Sequence, residues 1–123
     1  MTKLSSLEGL PKIAVCLAVF NGIRWLTEQL DSILAQTGVA VTVFVSVDAS
    51  IDGTEDWVDA RAQVDSRVVV LPHGHHFSGA APNFFRILCD IDLSKIDYVS
   101  FADQDDIWQQ DKLIRHVKLM QQH

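Results

Sequence analysis

Four times along this chain a run of apolar or β-branched residues gives way to a stretch whose apolar residues fall three and four apart, and that alternation leaves few folds open. Lys12 to Phe20 is nearly unbroken in apolar character, and after Asn21-Gly22 come Ile23, Leu26, Leu30, Ile33 and Leu34 at helical spacing. Val39 to Val47 is the second run. It ends in Asp48, and Asp52-Gly53-Thr54-Glu55 then has the Asp-x-x-Glu spacing of a helix-start capping arrangement. Val68-Val69-Val70-Leu71 is the third; Pro72 and Gly74 break the pattern, and Pro82 suits the first turn of a helix carrying Phe84, Phe85 and Leu88. Tyr98 to Ala102 is the fourth, feeding a last helix with Leu113, Ile114, Val117 and Met120 on one side. Strands that are apolar throughout must be covered on both faces. The expected fold class is therefore α/β, a doubly wound parallel sheet with helices on both faces.

In such sheets ligands bind beyond the carboxyl ends of the strands. Asn21, Asp48, His73 and Asp103 lie at or just past those ends, one for each strand, so all four are expected to face one crevice. The last of them opens Asp103-Gln104-Asp105-Asp106-Ile107-Trp108, with three carboxylates in four residues. Carboxylates crowded in this way repel one another. They are tolerable when they share a hard divalent cation such as Mg²⁺ or Mn²⁺, which takes oxygen ligands and leaves positions for phosphate oxygens. The other reading is an acidic first turn that complements the dipole of the following helix.

Composition narrows the class of ligand. The chain has 123 residues, 48% of them hydrophobic and 21% charged, with a mean hydropathy of +0.14. That is one ordinary globular domain, large enough to bury a core without staples. Cys16 and Cys89 read as reduced core residues rather than a disulfide framework. No segment approaches the ~20 apolar residues of a membrane span, and the first residues lack the apolar block of a secretion signal. A formal net charge of −6 with no basic stripe argues against nucleic acid as a partner. The same charge would repel a diphosphate unless a cation bridged the two.

Several other residues admit a plain reading beside a functional one. His73-Gly74-His75-His76 matches no zinc spacing, and solvated loop histidines are favoured over a contact to diphosphate or sugar. Trp25 and Trp57 read as helix-packing residues. Trp108 follows the acidic motif directly, where it either walls the crevice or packs beneath it. Arg86 and Lys112 are read first as a solvated helix face and second as phosphate-neutralising groups.

Taken in order, Ala18-Val19-Phe20-Asn21, Asp48-Ala49-Ser50-Ile51-Asp52-Gly53-Thr54, Gly79-Ala80-Ala81-Pro82-Asn83-Phe84 and Asp103-Gln104-Asp105-Asp106-Ile107-Trp108 resemble the nucleotide-sugar-binding half of family 2 glycosyltransferases. The last motif, with Asn-Phe upstream, is similar to that of bacterial rhamnosyltransferase-like members. The resemblance runs from about Lys12 to the last residue. It implies the Rossmann-like, nucleotide-binding half of a GT-A fold over residues 12–123, truncated relative to a whole domain, behind an N-terminal extension of residues 1–11.

The resemblance also implies roles. Phe20 and Asn21 belong to the nucleotide pocket, with Phe20 standing where the family usually has Tyr. Asp48 matches the second carboxylate of the family's Asp-Asp-x-Ser stretch and contacts the base; Val47 replaces the first. Asp103 and Asp105 match the Asp-x-Asp motif, Asp105 as the direct metal ligand and Asp103 as a ribose or further metal contact, with Mg²⁺ or Mn²⁺ as cofactor. Asp106 substitutes for either or caps the last helix. The implied enzyme transfers a sugar such as rhamnose from a dTDP- or UDP-sugar to a saccharide or lipid-linked saccharide in bacterial surface polysaccharide synthesis. Its place would be the cytoplasm, with peripheral association at the inner face of the membrane. The catalytic base stays unassigned, and the isolated chain is expected to be inactive. Two alternatives remain: a non-catalytic nucleotide-sugar-binding or interaction domain, and a receiver-type signalling domain. The second calls for an acidic pair after the first strand, where this chain has Phe20-Asn21.

Overall fold

The computed structural model describes residues 9–103 and 106–122, so Gln104, Asp105 and most of the N-terminal extension lie outside the described residues. The elements run β1 (Lys12–Val19), α1 (Ile23–Leu34), β2 (Ala40–Val47), α2 (Thr54–Val64), β3 (Val68–Val70), α3 (Ala80–Asp90), β4 (Tyr98–Ala102) and α4 (Lys112–Gln121). All three strand pairings are parallel, and the order across the sheet is β3-β2-β1-β4. The chain winds outward from β1 through β2 to β3, then crosses back to place β4 on the other side of β1. The direction of winding thus reverses between β1 and β4, which opens a crevice beyond their carboxyl ends.

The unbroken apolar character of β1 is accounted for by burial on both faces, since every residue from Ile13 to Val19 is buried. Ile13, Val15, Leu17 and Val19 join Val41, Val43, Val45 and Val47 of β2 in the main core. That core is covered by Leu26, Leu30 and Ile33 of α1, Val58 of α2, and Leu113 and Val117 of α4. The opposite face carries Cys16, Phe44 and Val99 and is covered by α3 through Ile87, Phe84 and Leu88. Helices therefore lie on both faces, as expected, three on one and one on the other. α3 alone covers its face sparsely: Phe101 meets Phe84 edge-on yet is 49% exposed, and Phe85 is 67% exposed.

Several local expectations are corrected. Phe85 faces outward, whereas Ile87 is the fully buried residue of α3. Cys16 is a core thiol whose pKa burial pushes up to about 11, but Cys89 is exposed. The last helix begins at Lys112 behind Asp111, so Asp106 lies too far upstream to cap it. Trp108 is buried in the main core, with the Lys112 ammonium 4.0 Å from its ring centroid. Lys112 thus sits against an aromatic ring rather than on a purely solvated face.

Candidate functional site

The main cavity, about 740 Å³, opens beyond the carboxyl ends of β1, β2 and β4. Asn21, Asp48 and Asp103 all line it, together with Phe20, Ile51, Asn83 and the Ser78-Gly79-Ala80 entry to α3. Three of the four strand-end residues are thus brought together. His73 is not among the lining residues. Its Nε2 lies 2.9 Å from Asp59 Oδ1 on α2, and His76 reaches the cavity instead.

Backbone pairing past the end of β3 explains the exchange. The loop folds back over the end of β2, where Ala49 N–H donates to His75 O at 2.9 Å and Phe77 N–H donates to Asp48 Oδ1 at 3.2 Å. His76 Nδ1 then stands 3.6 Å from the same carboxylate oxygen. Asp48 itself is 7% exposed, with its backbone N–H donating to Val19 O at the end of β1.

The turn after β1 and the loop after β2 lock together. Asn21 adopts φ 48°, a left-handed conformation that asparagine tolerates better than most residues. Its N–H donates to Ser50 Oγ at 2.9 Å, and its Oδ1 accepts Ile51 N–H at 2.9 Å. Gly22 N–H donates to Thr54 Oγ1 and Ile23 N–H to Asp52 Oδ2, so residues from the second loop satisfy the opening amides of α1. Asp52 also accepts Thr54 N–H at 3.0 Å, as a start to α2 should, but Glu55 reaches past it to the Ser50 N–H at 2.9 Å. The expected reciprocal capping arrangement is thereby replaced by a clamp between two loops. Ser50 and Thr54, which hold it, carry no sequence signal beyond their place in the resembled motif.

Burial opposes charge on Asp52, but the hydrogen bonds from the Thr54 hydroxyl and from the Ile23 and Thr54 amides outweigh it and hold its carboxyl below the usual range. A carboxyl depressed on folding contributes stability above its unfolded pKa of about 3.9, lost as pH falls through the lower folded value. Asp52→Asn should therefore melt at a lower temperature near neutral pH and lose less on acidification below about pH 4 than the unmutated chain. Parallel melting profiles for the two proteins would show that Asp52 does not hold the clamp.

At the entry to α3, Gly79 takes φ 130°, ψ 174°, and no side chain caps the first turn. Its opening amides therefore present partial positive charge beside Ser78 and Gly79 at the cavity wall. Asn83, 2% exposed, donates through Nδ2 to Ser46 O at 3.0 Å, and its Oδ1 finds no partner among the described residues. Arg86 is neither a solvated residue nor a cavity-lining cation. Its guanidinium donates to Ser46 Oγ at 2.7 Å, Pro72 O at 2.6 Å and Asp90 Oδ2 at 2.9 Å, and packs over the Phe77 ring. It is a strut that fixes the loop carrying His76.

Asp103 lies at the end of β4 with an exposed side chain, and Asp106 N–H turns back to Asp103 O at 3.3 Å. Among the described residues no three His, Cys, Asp or Glu side chains cluster closely enough to hold a metal ion, and Asp105 falls outside them. Nor does any Lys or Arg line the cavity among the described residues. No helix among them is long and apolar enough to cross a membrane.

The chain is 41% identical over 98 residues to the dTDP-rhamnosyl transferase RfbG of Shigella flexneri, covering 79% of this chain and 34% of that protein. It is 28% identical over 110 residues to the putative teichuronic acid biosynthesis glycosyltransferase TuaG of Bacillus subtilis, covering 89% of this chain and 42% of that one. Among solved structures, S. aureus TarS 1–349 in complex with UDP-GlcNAc superposes with a TM-score of 0.76 at 22% identity, over 91% of this chain and 32% of that chain. The mannosyltransferase PcManGT of Pyrobaculum calidifontis, in complex with GDP-Man and Mn²⁺, gives 0.74 at 24% identity, over 89% and 32%. These likenesses identify the sheet and its helices as the GT-A type of α/β fold. The chain spans about a third of RfbG and about two fifths of TuaG. Residues 14–123, nearly the whole chain, match the family described as Glycosyl transferase family 2, and to that family the chain belongs.

Proposed function

We propose that this chain is the donor-binding part of a metal-dependent glycosyltransferase that moves a sugar such as rhamnose from a dTDP- or UDP-sugar to a saccharide or lipid-linked saccharide acceptor. The observation that carries the reading is the convergence of Asn21, Asp48 and Asp103, from the ends of β1, β2 and β4, on one cavity at the point where the winding of the sheet reverses. Identity to a dTDP-rhamnosyl transferase and to a teichuronic acid biosynthesis glycosyltransferase supports the donor and the role in bacterial surface polysaccharide synthesis. Such work belongs at the cytoplasmic face of the membrane.

In this reading Asp48 receives the base, Phe20 and Asn21 form the wall beside it, and Asp103 contacts the ribose or the cation. Asn21 Oδ1 is engaged by Ile51 N–H, so Asn21 serves the site by shaping its loop and offers only its amide nitrogen to a ligand. The uncapped entry to α3 favours negative charge next to the cavity. The donor set suits a hard cation. Asp103 supplies carboxylate oxygen, Asp105 adds a second carboxylate two residues on, and no Lys or Arg among the described lining residues offsets a diphosphate. Mg²⁺ or Mn²⁺, when bound, supplies Lewis-acid stabilisation of charge developing on the leaving diphosphate.

Cation and nucleotide should then bind with positive and reciprocal coupling, each tightening the other by the same factor. Titration calorimetry with UDP and dTDP, in Mn²⁺ and in EDTA, measures it. Equal nucleotide affinity in both conditions would sink the metal role, and absence of binding in both would sink the donor site. Binding without turnover in a full-length protein, measured as nucleoside diphosphate release with saccharide acceptors, would favour a non-catalytic binding domain.

A further inference from the structure

The face of α1 turned toward the acidic loop is polar where an amphipathic helix would ordinarily be apolar. Gln29 and Ser32 lie three apart on it, Gln36 follows just past the helix end at Leu34, and Gln29 is fully buried. Gln29 Nε2 donates to the backbone carbonyl of Asp103. One turn on, Ser32 Oγ accepts the Trp108 N–H at 3.0 Å while donating to Gln29 O at 2.7 Å. Beyond the helix end, Gln36 Nε2 donates to Gln109 O at 2.6 Å and its Oε1 accepts the Leu113 N–H at 3.0 Å. Thr37 N–H completes the series at Gln110 O, 2.9 Å. Backbone groups of Asp103 and of residues 108–113 are thus met by two side chains of α1, Gln29 and Ser32, and by Gln36 and Thr37 just past its end, and the described residues 106–111 form no strand or helix of their own.

We propose that Gln29 is a positioning residue for the donor, fixing the peptide of Asp103 so that its carboxylate is held at the cavity, with Ser32 and Gln36 anchoring Trp108, Gln109 and Leu113. This rests on the donor-site reading given above. Asp103 ends β4 with its side chain exposed, so little besides its backbone fixes where the carboxylate points. A buried amide is costly to desolvate, and Gln29 commits its Nε2 to the Asp103 carbonyl while its Oε1 finds no partner among the described residues. The neighbouring Leu26, Leu30 and Ile33 form the apolar side of the helix, so Gln29 stands out among its buried residues. The same helix has its first amides gripped by Asp52 and Thr54 of the loop that follows Asp48. One element therefore sets the distance between the two carboxylates assigned to the base and to the ribose-diphosphate end.

Gln29→Met keeps the volume and removes the amide. Its effect on UDP binding in the presence of Mn²⁺ should pass through Asp103, which a double-mutant cycle reads directly. We expect Gln29→Met to weaken UDP binding about tenfold in the unmutated chain, the usual size of an outer-shell loss, and less than about twofold in an Asp103→Asn background. Equal losses in the two backgrounds, or no loss in either, would overturn the positioning role, because a residue acting only on overall stability contributes additively. No UDP binding by the unmutated chain, or none lost on Asp103→Asn, would instead remove the donor-site reading and the inference with it. If thermal melting shows Gln29→Met to be unfolded, Gln29→Asn takes its place in the same cycle, since it keeps the amide and shortens its reach.

Discussion

Replacing Asp105 by Asn is expected to abolish the gain in nucleotide affinity that Mg²⁺ or Mn²⁺ confers, while the protein remains folded. The substitution keeps size and hydrogen-bonding capacity and removes the charge that a hard cation requires of its ligand. Asp105 lies outside the described residues, and the expectation rests on its place in the sequence two residues past Asp103, which lines a cavity with no Lys or Arg among its described lining residues. Without a cation, diphosphate would meet Asp48 and Asp103 with only His76 and helix-terminal dipoles to offset them among the described residues, the dipoles worth about 0.3–1 kcal/mol at an exposed terminus. Loss of one ligand should weaken UDP binding in Mn²⁺ by about a hundredfold or more, since losing even an outer-shell partner of a ligand costs about 10- to 100-fold, and leave binding in EDTA unchanged. Calorimetry reads both numbers and circular dichroism the fold. An unfolded variant would mean that the acidic cluster is structural, a result the position of α4 already makes hard to explain, since that helix starts at Lys112 and takes no cap from Asp103 or Asp106.

The elements of the fold were legible because each strand declares itself by composition, three of the helices by apolar spacing, and α2 by the Asp52-Gly53-Thr54-Glu55 start ahead of it. β1 is buried from Ile13 to Val19 and β2 is buried or half-buried throughout, and a strand covered on both faces has no polar side to write into the sequence. Asn21, Asp48 and Asp103 were legible for a related reason: in a parallel sheet, the residue after a strand must emerge at the ligand-binding end. His73 broke that rule. β3 ends at Val70, and with no regular structure up to Ala80 there is no period by which to count which side chain turns inward. The Ala49 backbone, which donates to His75 O, and the Asp48 carboxylate, which accepts the Phe77 N–H, decided it in favour of His76. Arg86 was hidden differently. Spacing along α3 places it on a helix face, but nothing local reveals that Ser46 and Pro72, far away in sequence, present oxygens opposite it. Gln29 was hidden most completely, since a binary apolar pattern assigns glutamine to solvent, and only the acidic loop packed over α1 gives its burial a purpose.

Base choice should be carried by Asp48, with UDP and dTDP bound more tightly than CDP. Asp48 Oδ1 already accepts the Phe77 N–H, and among the described residues no group donates to Oδ2, so one oxygen of a carboxylate only 7% exposed is left for a ligand. Uracil and thymine present an imino N–H that can meet it. Cytosine has a lone pair at the same position, which would set acceptor against acceptor in a place where water has little access. Leaving a buried polar group unpaired costs about 1–3 kcal/mol, a discrimination of about 5- to 150-fold. Asp48→Ala should flatten the preference by lowering UDP affinity toward that of CDP rather than by raising CDP. Because Phe77 N–H loses its acceptor in that variant, Asp48→Asn is the better-behaved partner: it keeps an oxygen for Phe77 and can turn an amide donor toward cytosine. Competition titrations of UDP and CDP against all three proteins decide the matter. Equal binding of the two nucleotides to the unmutated chain would refute the assignment. A shift toward CDP in Asp48→Asn would place the base against this carboxylate, because only a group in direct contact with the ring can exchange an acceptor for a donor and change which base is preferred.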